Sequence, residues 1–215
     1  MIDKMTVIEK ITAVFQANEY PGDPFLLGSW EGSEPFEEVG PFQGKKKWQK
    51  ISFSFLDMHA SALSFFSEAG FRFYLPAYLV ADLKGRLDVA DPLFHLTHGF
   101  SEEQIEHTIQ DRAFTVRTGK TVLINPRRYG AMTSYDYARY RLSVFTREES
   151  GAIVEYLKYQ REHADLERVK TFIEAALDLF WLDRAKNAPT DEELKRHLQE
   201  QKEYLDAVRR QLKRD

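Results

Sequence analysis

Between Asp165 and Ala185 the apolar residues Leu166, Val169, Phe172, Ile173, Ala176, Leu177, Phe180 and Trp181 recur at steps of three and four. A strand would scatter them over both faces, because its side chains alternate with period two, whereas a helix gathers them into one stripe. The segment predicts a long, centrally packed helix over 165–185 and commits the chain to helical layers. The same reading gives a first helix over 2–18, carried by Val7, Ile8, Ile11, Val14 and Phe15 and closed by Tyr20-Pro21-Gly22-Asp23-Pro24. Residues 19–47 read as a long ordered loop, a length that is uncommon inside a compact domain and often functional.

Further along, Trp48 to Phe55 suits a short strand or a tight turn into a helix. Asp57 reads as the N-cap of a helix over 58–67. The apolar stretch from Gly70 to Leu83 predicts another helix, with Pro76 in its first turn. Ser101-Glu102-Glu103-Gln104 looks like a cap and acidic first turn for a helix through Ile105 and Ile109 towards Val116, closed by Gly119. Thr121 to Pro126 reads as a short extended segment. Thr146-Arg147-Glu148-Glu149 and Thr190-Asp191-Glu192-Glu193 are capping boxes. On the last helix Leu194, Leu198, Leu205, Val208 and Leu212 form a seam, with Gln201 where a further apolar residue belongs. The expected fold is mainly α. It is a single helical domain over 1–187 with at most a small hairpin, followed by a charged amphipathic helix over 188–215 that protrudes or folds back.

The absence of cysteine excludes disulfides, thiol nucleophiles, cysteine–zinc sites and iron–sulfur clusters. Phe71 to Ala81, the longest apolar stretch, is broken by Arg72 and Pro76 and falls far short of the roughly 20 residues of a membrane helix. Charges near the N-terminus interrupt any signal-peptide core, so the expected compartment is the cytoplasm. Charge is unevenly spread. Residues 1–44 hold eight acids against Lys4 and Lys10, whereas over 112–141 Arg112, Arg117, Lys120, Arg127, Arg128, Arg139 and Arg141 face only Asp136.

Tyr20-Pro21-Gly22-Asp23, then Trp48, then Phe71-Arg72-Phe73-Tyr74-Leu75-Pro76-Ala77-Tyr78-Leu79 resemble the pattern of a bacterial family known only as a domain of unknown function. Phe145-Thr146-Arg147-Glu148-Glu149 and a helix to Tyr156-Leu157 also fit, although the family pattern has Gln where this chain has Glu149. The resemblance spans roughly residues 5–182, discontinuously. It implies a mostly helical protein and carries no activity.

Two surfaces are candidates for function. The acidic loop offers Tyr20, Asp23, Trp30, Glu34, Phe36, Glu37 and Glu38, a mixture of aromatic rings and carboxylates suited to a basic protein partner. The segment with Arg127, Arg128, Tyr129, Arg139 and Arg141 combines guanidinium groups with rings, as anion and single-stranded nucleic-acid sites do. Its preferred reading is an internal match to the acidic loop, with nucleic acid as the second. His95 and His98, or Glu103 and His107 four apart on a helix, have a spacing too unspecific to predict a metal site. No phosphate-binding loop, nucleophile elbow, dinucleotide fingerprint or calcium loop is present, so neither metal nor cofactor is expected. The main expectation is a non-enzymatic protein-binding module. The alternative is a small hydrolase or nucleic-acid-processing enzyme using Asp23, Glu34 and His98 with Arg127 and Arg128 on an anionic substrate. Self-association as a homodimer through the C-terminal seam is a third reading.

Overall fold

Asp3 opens α1 (Lys4–Phe15) by accepting the Thr6 N–H with its carboxylate, and the stripe Val7, Ile8, Ile11 and Phe15 is buried. The computed structural model describes residues 2–100, 104–109, 112–117, 121–123 and 131–212. After α1 the chain crosses a long loop broken by the short α2 (Glu34–Val39), then forms α3 (Phe53–Met58) and α4 (Ala62–Phe65). The central α5 (Glu68–Leu83) follows, then α6 (Pro92–Thr97). Beyond the strand region come α7 (Ser134–Leu142), α8 (Arg147–His163) and α9 (Glu167–Ala176). A π-helical stretch Leu177–Trp181 joins α9 to α10 (Leu182–Arg184), and α11 (Asp191–Leu212) completes the fold. The fold is mainly α, and no described helix is long and apolar enough to cross a membrane.

The helix α5 is buried almost all round, as a helix apolar on every face must be, and α1, α3, α6 and α11 pack against it. The expected helix over 165–185 forms as α9, the π stretch and α10. Its Trp181 is buried and donates its indole N–H to the Leu96 carbonyl at 2.9 Å. Both capping boxes are made: the Thr146 and Glu149 side chains exchange bonds with each other's backbone N–H groups, and so do those of Thr190 and Glu193.

Several expectations are corrected. Residues 104–109 and 112–116 are not helical: β1 (Gln104–Ile109) pairs antiparallel with β2 (Arg112–Arg117), and β3 (Thr121–Leu123) with β4 (Ala131–Thr133). Ile105 and Ile109 lie four residues apart, a spacing that fits one face of a helix and one face of a strand alike, and the β-branched Thr108, Thr115 and Val116 favour the strand. His107 therefore stands opposite Phe114 in a ladder and forms no helical pair with Glu103. The proposed cap Ser101–Glu103, the proposed stop at Gly119 and residues 124–126 lie outside the described residues.

Asp57 caps no helix. It lies inside α3, which Ser52 caps, and its Oδ1 accepts the N–H groups of Asp88, Val89 and Ala90 at 2.8–3.0 Å, holding its carboxyl below the usual range. Trp48–Lys50 form a 3₁₀ turn that leads into α3, so the turn and not the strand is realised there. Pro76 sits in the middle of α5, not in its first turn. A proline at that place leaves the carbonyl four residues back, that of Arg72, without its helical donor. The Asn18 side-chain amide approaches that carbonyl at 3.5 Å.

Between α5 and α8 the half-buried Asp82 accepts the Tyr156 hydroxyl at 2.6 Å and the Gln160 side-chain amide. Burial raises its carboxyl above the usual range, and the Asp91 charge adds to this against the two hydrogen bonds. Because the folded state holds this proton more tightly than the unfolded chain, the contribution is most favourable below about pH 4 and is lost as pH rises through the folded pKa. Asp82→Asn keeps an acceptor for Tyr156 and removes the buried charge. Its melting temperature at pH 7 is expected to exceed that of the parent, with the gap closing in scans below about pH 4.

The last helix folds back. Leu194, Gln201 and Leu205 of α11 are buried, so the seam that offered a dimer surface is covered by its own chain at these positions. Gln201 donates to the buried Glu68 carboxylate at 2.6 Å and accepts the Ala69 N–H at 3.1 Å, while His197 Nε2 lies 3.1 Å from the same Glu68 oxygen. The polar residue in the seam thus takes up an N–H of the first turn of α5, which has no partner within its own helix.

Candidate functional site

The Tyr20-Pro21-Gly22-Asp23 turn acts as a clasp. The Tyr20 hydroxyl donates to Asp23 Oδ1, and the Gly44 N–H, 21 residues on, donates to the same oxygen at 2.8 Å. The Tyr20 hydroxyl and the Gly44 N–H keep the Asp23 carboxyl below its ordinary range, whereas burial and this bond push the Tyr20 phenol up to about 12. Gly22 and Gly44 have φ of +97° and +74°, conformations that favour glycine. Inside the clasp the chain is pinned twice more. Ser67 N–H donates to Leu26 O at 2.7 Å and Gly28 N–H to Phe65 O at 2.8 Å. The approach is so close that a Cβ on Gly28 would lie 2.7 Å from the Phe66 carbonyl oxygen. At the far end Phe42 is buried among the rings of Phe55, Phe66 and Tyr74, and the Tyr74 hydroxyl donates to the carbonyls of Phe42 and Lys45 at 3.0 Å each. The buried Trp48 indole donates to Phe15 O at 3.2 Å. Tyr20, Asp23, Trp48 and Tyr74, four of the residues that carried the sequence resemblance, therefore hold the loop in shape.

What the clasp presents is a groove of about 460 Å³ between the loop and the end of α11. Leu27, Trp30, Phe36 and Leu212 supply its apolar wall, and Asp23, Gln43 and Arg209 its polar edge. Phe36 is 50% exposed and Leu212 49%, so large apolar groups face solvent there. Arg209 donates to the Pro24 carbonyl at 2.5 Å, and Arg209 and Lys202 lie over the Phe25 ring at 5.4 and 5.5 Å. Glu34 and Glu37 are exposed on α2 beside Phe36. Residues 19–44 hold six acids and no base.

Of the acidic-loop candidates, the structure brings Asp23, Trp30 and Phe36 to one groove and leaves Tyr20 outside its lining, bonded to Asp23 as part of the clasp. Glu38 turns inward. Its Oε1 is 4.0 Å from His59 Nδ1, and its buried Oε2 has no hydrogen-bond partner among the described residues. Arg127, Arg128 and Tyr129 lie outside the described residues. Arg139 is exposed and lies over the Tyr135 ring at 5.3 Å. Arg141 is spent inside the fold, on the carbonyls of Leu63 and Ser64, the Tyr137 hydroxyl and the Phe71 ring. Its partners are carbonyls and rings, not the acidic loop.

His95 lies within α6 and His98 caps its C-terminal end. Burial, helped by the Arg141 charge, pushes the His95 imidazole down to about 3, and His98 stacks on Phe94 at 4.6 Å. Among the described residues no group of three or more His, Cys, Asp or Glu is placed to hold a metal. A second depression, of about 740 Å³, is lined by Met58, Arg86 and Val89 next to Asp57, whose Oδ1 is already taken by backbone N–H groups. Sequence reasoning missed Leu27 and Gln43, and it missed the approach of Arg209 and Leu212 to the loop. Leu212 stood out only as the end of a seam.

No curated protein and no solved structure matches the chain. The Tyr20–Asp23 clasp lies ahead of the segment that a family shares, whereas the groove residues Trp30 and Phe36 and the central α5 lie within it. Residues 28–185, well over half of the chain, match the family of unknown function DUF6714, and the protein belongs to that family.

Proposed function

We propose that the protein is a binding module that captures a segment of another protein in the groove beside the acidic loop. The observation that carries this reading is Phe36, half-exposed on the acidic α2 and facing a groove with Trp30 and Leu212. An apolar anchor of the partner fills the groove, and Lys or Arg residues flanking it meet Glu31, Glu34 and Glu37. Rim charges of this kind steer encounter and fix register, while the anchor supplies most of the affinity.

Panning a random peptide library against the full chain is expected to enrich sequences with an apolar residue flanked by Lys or Arg. Phe36→Ser, and separately the double reversal Glu34→Lys with Glu37→Lys, should each weaken an enriched peptide about tenfold or more, about 1.4 kcal/mol, at unchanged melting temperature. Glu38 is left out because it faces His59 and not the groove. Enrichment of acidic or charge-free sequences, or enriched peptides indifferent to both variants, would overturn the reading.

A further inference from the structure

We infer that α11 is a displaceable occupant of this docking surface, and that the partner segment it stands in for is an amphipathic helix with a basic end. The inference rests on the reading of the loop as a protein-binding surface and names the form of its ligand.

Three observations carry it. First, α11 is lightly held: over Asp191–Leu212 only Leu194, Gln201 and Leu205 are buried. Sparse burial marks segments that open without the rest of the domain. Second, the middle anchor is polar. Gln201 and His197 both meet Glu68, and Gln201 also takes the Ala69 N–H, so the contact fixes one register through hydrogen bonds. A polar residue in an apolar seam selects register at a cost in stability.

Third, the end of α11 has the chemistry assigned to the partner. Leu212 lines the groove beside Trp30 and Phe36, and Arg209 and Lys202 lie over the Phe25 ring. In sequence, residues 207–215 carry Arg209, Arg210, Lys213 and Arg214 against Asp215, and Arg209 reaches the Pro24 carbonyl of a loop whose residues 19–44 are acidic without a single base. The family match ends at residue 185, before α11 begins at Asp191. Trp30, Phe36, Glu68 and Ala69 thus belong to the shared domain, and the helix that bonds Glu68 and Ala69 and ends at the groove does not.

The test uses the full chain and Gln201→Glu, which places a second carboxylate against Glu68 and removes the amide donor. A fluorescent peptide of residues 188–215 serves as the helical probe. In Gln201→Glu, amide exchange over 191–212 is expected to rise at least tenfold while α5 and α8 keep their protection. The probe should bind this variant at least tenfold more tightly than the parent. If Gln201→Glu fails to fold, Gln201→Ala, which deletes both bonds without adding charge, gives the same comparison. Continued protection of α11, loss of protection in α5 together with it, equal probe affinity for parent and variant, or release that yields a dimer by helix exchange would each overturn the inference.

The two readings fail separately. Release of α11 with probe binding indifferent to Phe36→Ser removes the groove and leaves displacement standing. A closed α11 with library peptides still dependent on Phe36 does the reverse.

Discussion

Arg72→Met is expected to destabilise the fold by about 3–5 kcal/mol, enough to unfold a marginal domain, because it strands a buried carboxylate. Arg72 Nε reaches both oxygens of Glu149, at 3.1 and 2.9 Å, and Glu149 is 2% exposed. The same carboxylate accepts the Thr146 N–H at 2.7 Å and closes the capping box of α8, so one group ties the centre of the fold to the start of its neighbour. Removing the guanidinium leaves that charge without its counter-ion in a site water does not reach. Glu149→Gln keeps an oxygen for both donors and leaves uncompensated only the Arg72 guanidinium, which at 18% exposure still meets water, so its cost should be about 1–2 kcal/mol. Urea titration of both variants checks the order, and equal losses would mean that the charge itself contributes little.

Phe42→Ala is expected to cost about 3–5 kcal/mol as well, for a different reason: it empties the middle of an aromatic cluster. The Phe42 ring stands 4.9 Å from Phe55 and Phe66 and 4.8 Å from Tyr74, all edge-on, an arrangement favoured by ring quadrupoles. Phe42 is also where the acidic loop re-enters the core, and its carbonyl is held by Tyr74. The cavity should therefore loosen the groove before it melts the bundle. Calorimetry measures the stability, and amide exchange over residues 29–44 should rise more than over α8. Uniform loss of protection would show that the loop and the bundle open as one unit.

Periodicity and capping made much of the helical framework legible. The stripe of 165–185 and the boxes at Thr146 and Thr190 are local signals, and they are realised where local chemistry placed them, except that Leu166 at the head of the stripe precedes α9 and is 66% exposed. Local signals failed where two structures satisfy the same spacing, as with Ile105 and Ile109, or where a residue answers to a distant partner. Asp57 looks like a cap because short acids cap helices, yet its acceptor capacity is used by the backbone 31–33 residues on. Pro76 looks like a helix start because an interior proline leaves a carbonyl unmatched, and nothing next to it in the chain announces that Asn18 approaches that carbonyl. For the groove, composition pointed to Trp30 and Phe36. The contact of Arg209 with Pro24 spans 185 residues, which no periodicity encodes.

Two fixed crossings bound the exposed part of the loop: the close passage at Gly28 under the Phe66 carbonyl, and the burial of Val39 and Phe42. The chain between them is a tethered window, residues 29–38, in which only Pro35 is buried and Glu38 turns inward to His59. Because its ends are anchored independently of what lies between, exchanging the side chains at Trp30, Glu34, Phe36 and Glu37 leaves the ring closure and the scaffold untouched. Such a window lets selection rewrite what is recognised one position at a time, while the hydrogen bonds that define the fold stay out of reach of that change.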